Sequence, residues 1–327
     1  MTRFNSRLAV VAAMAVMAGL SPAVAQDAGS YPNQSIRILI TNPPGGLPDT
    51  VARLYARFME PKLGQSIVVE NRPGANGTVA VGAMLAAPAN GYTLIVTDGG
   101  IYASNPALYP GLSYSEKDLK PVALMARAPL FLTVHPKVPV KTLDEFIAYA
   151  RANPGKLNYG SSGVGSVHHL GMVALGRALN LDMVHVPFKG TGESVPALLG
   201  GHIDLLYSAF PSLSGAANTK QVLMLAANSL QRSTLAPDLP AISERVPGYD
   251  YAPSIGLYGK TGMPDAAVQK LASLIMEVSK NKEIIDRFFA LGTEATAGGA
   301  DQFETLLKAE SVRIRELVKA ANIQMKQ

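Results

Sequence analysis

Three glycine-bearing turns in this chain combine the groups that hold an anion without a metal: Pro43-Pro44-Gly45-Gly46-Leu47, Gly160-Ser161-Ser162-Gly163-Val164-Gly165-Ser166, and Phe188-Lys189-Gly190. Each follows a short apolar run and precedes an amphipathic one, so each sits where a strand hands over to a helix. The first N–H groups of a helix lack intrahelical partners and the helix dipole is positive there, which suits a carboxylate. Glycine removes the Cβ that would keep such a ligand at a distance. The binding candidates are Pro44, Gly45, Gly46 and Leu47 in the first turn, and Ser161, Ser162, Gly165 and Ser166 in the second. Lys189 and Gly190 in the third add a full positive charge. Asp49 carries the wrong sign for an anion and is assigned to ordering the first helical turn; Asp204 is likewise read as a loop-ordering carboxylate. Two strand ends supply wall residues: Tyr102 and Ser104 after the run 92–97, and Ser208 and Phe210 at and just beyond the end of the run 203–208.

The same residues exclude several chemistries. With no cysteine there is no disulfide, thiolate metal site or cysteine nucleophile. Five histidines without a His-Glu-x-x-His pattern argue against a zinc hydrolase, and neither a metal nor a cofactor is expected. Serines and histidines crowd together over 161–169, the strongest case for a serine hydrolase. A nucleophile elbow needs Gly-x-Ser-x-Gly, however, and Val164 or Tyr159 breaks it whichever serine is centred. A dinucleotide fingerprint fails at His168, where the third glycine belongs.

The elements that position these turns alternate strand and helix, the grammar of an α/β fold. Strands are expected at 36–41, 67–70, 92–97, 157–159, 183–188, 203–208 and 222–226. Helices are expected at 48–63, 78–87, 166–179, 193–199, 266–280, 283–291 and from about 303 to 317. Two apolar stretches, 122–134 and 251–258, read as crossings between two lobes. Residues 26–127 and 253–327 then make a discontinuous first lobe and 128–252 a second, hinged to close on a ligand.

Residues 1–25 have the layout of an export signal: Arg3 and Arg7, an apolar run over 8–20, and Ala23-Val24-Ala25 before Gln26. That run is shorter than the roughly 20 residues a membrane span needs. Lys and Arg number 29 against 24 Asp and Glu, and two of the basic residues fall in the leader. No block of like charge is present, so a nucleic-acid partner is not expected.

The ordered motifs Tyr31-Pro32 through Pro43-Pro44-Gly45-Gly46-x-x-Asp49, Val69-Glu70-Asn71-Arg72-Pro73-Gly74-Ala75, Pro154-Gly155-Lys156-Leu157-Asn158-Tyr159-Gly160-Ser161-Ser162-Gly163, His169-Leu170, Val186-Pro187-Phe188-Lys189-Gly190 and Gly200-Gly201-His202-Ile203-Asp204 resemble the Bug-type solute receptors of the tripartite tricarboxylate transporter system. The match covers nearly all of the chain after the leader. It implies a type-II-like periplasmic binding fold, a small organic carboxylate as ligand, and delivery to a permease of one large and one small integral-membrane subunit. It further places His169 in the binding set as the residue that orders the second turn. With the leader cleaved near Ala25, a monomer in the periplasm is expected. A receptor that docks on a sensor kinase would use the same closed surface, so signalling stays open beside transport.

Overall fold

The computed structural model describes residues 31–323, so the leader reading at 1–25 lies outside the described residues. Among these residues ten strands form two five-stranded sheets. The first holds β1 (Ile36–Ile40), β2 (Ile67–Asn71), β3 (Thr93–Asp98), β4 (Leu119–Arg127) and β10 (Ser254–Lys260), in the order β2-β1-β3-β10-β4. The second holds β5 (Leu130–Val134), β6 (Asn158–Ser161), β7 (Val184–Pro187), β8 (Leu205–Ala209) and β9 (Leu223–Ala227), in the order β7-β6-β8-β5-β9. Both have one pattern: the first three strands in the order run parallel, and the fourth runs against both of its neighbours. The mixed sheets and their helices make two α/β lobes.

Strands covered on both faces must be apolar along their length, and Ile36, Ile38, Leu39 and Ile40 are all buried. One face of the first sheet is covered by α1 (Leu47–Leu63), α8 (Asp265–Val278) and α9 (Lys282–Ala290), through Val51, Tyr55, Met59, Leu271, Ile275 and Phe288. The other takes α2 (Thr78–Ala86) and the start of α10 (Ala300–Ala320), through Val81, Met84, Phe303 and Leu307. In the second lobe α4 (Leu143–Ala152) and α5 (Val167–Leu179) bury Phe146, Ile147, Leu170 and Leu175 against the sheet. The opposite face receives α6 (Thr191–Leu199) and α7 (Phe210–Asn218), through Leu198 and Leu213.

The apolar stretch 122–134 is two strands, one in each sheet, parted at Ala128-Pro129. The return path lies beside it: the Ala128 N–H donates to the Pro253 carbonyl at 2.9 Å. Buried Asn228 ties both passages, accepting from Leu130 N–H at 2.8 Å and donating to the Tyr251 carbonyl at 2.9 Å. The expected division at 253 does not separate packing units along α10. Its first half sits on the first sheet, whereas Ile314, Leu317 and Val318 join the core of the second lobe.

Candidate functional site

The carboxyl ends of β1, β2 and β3 and that of β6 face one another across a cavity of about 570 Å³ between the lobes. Ligands of open α/β sheets sit outside such strand ends, at the point where successive helices leave on opposite faces. The first lobe contributes Thr41 to Pro43, Pro73 to Gly77, Thr97, Asp98, Gly100, Ile101, Ser104, Asn105, Leu108 and Tyr109; the second contributes Ser162 and Val164 to Val167. Of the candidates read from sequence, Ser104, Ser162, Gly165 and Ser166 lie in this wall.

In the second lobe, β6 ends at Ser161 and the chain turns through Gly163, at φ 119°, and Gly165, at φ 77°, both in the region that favours glycine. Ser166 starts α5: its hydroxyl accepts the His169 N–H at 3.2 Å as the N-cap. His169 closes the turn from the other side, its Nδ1 accepting the Gly165 N–H at 3.0 Å. That bond requires a neutral ring. Burial lowers the His169 pKa to about 4, with neighbouring His185 adding to it, and burial alone takes His168 to about 4. The rings of His169 and His185 stack at 4.0 Å, and Tyr159 lies near both, 5.0 Å from His185 and 6.4 Å from His169.

Each serine of the turn has a histidine partner. Ser161 is buried, its hydroxyl 2.6 Å from His185 Nε2, while the Ser162 hydroxyl is 2.8 Å from His168 Nδ1. Ser161 is thereby turned away from the cleft. No carboxylate hydrogen-bonds to either ring among the described residues, so neither pair has the third member that holds a catalytic imidazole in orientation.

These depressed histidines set a pH dependence. Unfolded, they titrate near their ordinary 6.5; folded, they bind protons only near 4. Their contribution to stability is whole above about pH 6.5 and is lost as the pH falls toward about 4, because the unfolded chain takes up protons first. The melting temperature is expected to drop across this interval, and His168→Asn with His169→Asn to flatten the slope. An unchanged slope in that variant would assign the loss to carboxylates instead.

In the first lobe, the turn after β1 is ordered by Asp49, which is buried. It accepts from Gly45 N–H, Arg53 Nε and Asn71 Nδ2, each at 3.0 Å. Burial pushes its pKa up, but these hydrogen bonds outweigh burial and hold it below the ordinary value. The Gly45 N–H is thus already taken, and the Gly46 N–H goes to the Pro43 carbonyl at 3.2 Å. Pro43 reaches the cleft wall; Pro44, Gly45, Gly46 and Leu47 do not line it.

Much of the first-lobe wall is instead the turn after β2, where Gly74, Ala75, Asn76 and Gly77 all have positive φ. Residues other than glycine rarely adopt this conformation and hold it only where the surroundings fix it. Here Asn105 Nδ2 donates to the Asn76 carbonyl at 2.8 Å and to Tyr114 Oη at 3.1 Å, and Asn76 Nδ2 donates to Tyr109 Oη. A Cβ on Gly77 would come within 2.9 Å of Thr41 Cγ2, so the two turns pack directly. The sequence signal was the pair of glycines flanking an asparagine, a residue that tolerates the left-handed region.

The remaining candidates lie elsewhere. Tyr102 lines a separate depression with Glu116, Lys308 and Arg315. Lys189 is exposed, its backbone N–H donating to Glu193 at 3.2 Å, and Gly190 is the N-cap position of α6; neither lines the cleft. Ser208 is buried within β8, and Phe210 packs edge-on against Phe131. Asp204 precedes β8 at the end remote from the cleft, accepting from Asn158 N–H at 2.7 Å and pairing with Lys137 at 2.9 Å. Among the described residues no group of three or more His, Cys, Asp or Glu is placed to hold a metal.

Residues 51–323 match the sequence profile of the tripartite tricarboxylate transporter family receptor. The chain is 30% identical over 326 residues to protein BugT of Bordetella pertussis, covering 98% of each. Among solved structures it is similar to Rpa4515 of R. palustris with adipate, at 28% identity and a TM-score of 0.73, over 90% of this chain and 100% of that one. It is also similar to MatC of Rhodopseudomonas palustris with bound malate, at 30% identity and a TM-score of 0.68, over 88% and 100%. Two α/β lobes about a shared cleft, and a profile match across nearly the whole described chain, place this protein in the tripartite tricarboxylate transporter receptor family.

Proposed function

We propose that this protein is an extracytoplasmic receptor without catalytic activity, which captures one small organic carboxylate between its lobes and presents it to an integral-membrane permease with a large and a small subunit. The observation that carries this reading is the composition of the cleft wall: both lobes supply it, and the start of a 13-residue helix, α5, enters it at Ser166. A carboxylate there meets N–H groups and hydroxyls held in place before it arrives. Contacts from both lobes favour the closed state, and closure is what a permease recognises. The adipate and malate carried by similar proteins support the ligand class. No helix among the described residues is long and apolar enough to cross a membrane, which fits a receptor freed by cleavage near Ala25.

A thermal-shift screen tests this reading. The mature protein is unfolded and refolded to strip carried ligand, then heated with small carboxylates and their uncharged amides. Ligand at a hundred times Kd adds about 2.7 kcal/mol to the folded state. A selective rise for an acid over its amide supports the receptor. A panel without any shift contradicts carboxylate capture and turns attention to a non-acid ligand or to a signalling role.

A further inference from the structure

Among the described residues, Asp98 is the only charged side chain in the cleft wall. It ends β3, and its Oδ1 accepts the Gly100 N–H at 2.7 Å; no side chain among the described residues donates to either oxygen. The guanidinium groups behind it, Arg127 and Arg313, lie beside Asp250 and Glu310 and outside the cleft wall. Arg127 pairs with Asp250, while Arg313 donates to the Asp250 carbonyl at 3.0 Å and lies over the Tyr251 ring. Behind Asp98, α10 brings a second carboxyl, Glu310, close enough that a Cβ on Gly99 would meet its Oε2 at 2.8 Å. The first-lobe floor of the cleft therefore presents one carboxyl group and, among the described residues, no cation, whereas the second-lobe wall offers the helix start and hydroxyls of α5.

A carboxylate without a cation is costly to bury, and an arriving positive donor removes that cost. A ligand with carboxylates at both ends meets the opposite situation, since its second charge faces Asp98 across the cleft. We propose that Asp98 reads a protonated nitrogen, so that this cleft takes a zwitterionic amino acid in preference to a di- or tricarboxylate. The inference rests on the receptor reading above and adds the ligand's second group: carboxylate toward α5, ammonium toward Asp98. Burial pushes the Asp98 carboxyl pKa up, a penalty on its charged form that a protonated nitrogen beside it relieves.

The test is calorimetric titration of the ligand-stripped mature protein with sets of one chain length, such as 5-aminopentanoate, 5-hydroxypentanoate and glutarate, extended to α- and ω-amino acids of other lengths. In at least one set the amino-bearing acid is expected to bind roughly tenfold tighter or better than both analogues. Asp98→Asn, which keeps an acceptor oxygen for Gly100, is expected to erase that preference without lowering the melting temperature. Hydroxy acids or dicarboxylates that bind as tightly as the amino acids overturn the inference and leave the receptor reading standing. A preference that survives Asp98→Asn overturns it as well, because another group then reads the nitrogen. Should no acid of any class bind, both readings fall. The wild-type comparison decides the question even where the variant does not fold.

Discussion

Ser166→Asp is expected to weaken carboxylate binding more than a hundredfold while leaving the melting temperature equal to or above that of the parent. The two effects separate because Ser166 has two duties. Its hydroxyl caps α5 by accepting the His169 N–H at 3.2 Å, and aspartate is as good a cap as serine. A negative group at a helix start is also favourable by about 0.3–1 kcal/mol. Within the cleft the same carboxylate stands where the ligand's must go. Like charges about 4 Å apart at an effective dielectric of about 20 repel by about 4 kcal/mol, a factor of several hundred in Kd. Ser166→Ala is less informative: losing the cap costs about 1 kcal/mol of stability, so folding and binding shift together. Retained affinity in Ser166→Asp would remove the second turn from the site.

The largest expected effect on folding is at Gly256, in the middle of β10 between β3 and β4. A Cβ there would lie 2.2 Å from Phe303 Cζ and 2.7 Å from the Ala123 carbonyl oxygen. Phe303 is fully buried at the start of α10, and the carbonyl belongs to the neighbouring strand, so neither moves cheaply. Gly256→Ala is expected to cost about 3 kcal/mol, the upper end of ordinary overpacking. With about 5–15 kcal/mol of total stability, that is a large share, and the melting temperature should fall by roughly 10 °C. Adding Phe303→Ala relieves the ring contact but not the carbonyl, so the double variant should remain below the parent. A Gly256→Ala protein that melts with the parent would mean that β10 packs differently.

Gly256 illustrates what can be read from a sequence and what cannot. A glycine inside an apolar strand announces a close approach, but not that Phe303, far along the chain, is what approaches. The alternation of strands, glycine turns and helices was legible because apolar runs and glycines mark it locally. Helix α4 escaped although Thr142 and Glu145 form a start signal; in the structure the Thr142 hydroxyl accepts the Glu145 N–H. Helix α7 is hidden in the sequence because Phe210 follows the run 203–208 closely and reads as a wall residue beyond a strand, although Pro211 next to it is a first-turn residue.

For the site, the serines of the second turn were legible as donors, but their directions were not. Ser161 turns inward because His185, 24 residues later and on another strand, takes its hydroxyl. The first turn's N–H groups looked free, yet Asp49 and Pro43 use those of Gly45 and Gly46. Local sequence identifies a group that can bond; which partner claims it is settled by tertiary contacts. Asp98 directly follows the apolar run 92–97, but that it is the one charge of the cleft wall among the described residues depends on tertiary packing.

The central claim is that both lobes close on one carboxylate. Because the chain has no cysteine, two introduced cysteines are unique labelling sites. Val79 on the first lobe and Val184 on the second are about half exposed and lie outside the cleft wall. With spin labels at these two positions, pulsed electron resonance measures the distance between the lobes before and after saturation with the acid chosen by the thermal screen. The account predicts a change to a single narrower distance distribution with the acid and none with its amide. An identical distribution with and without bound acid would contradict closure between the lobes.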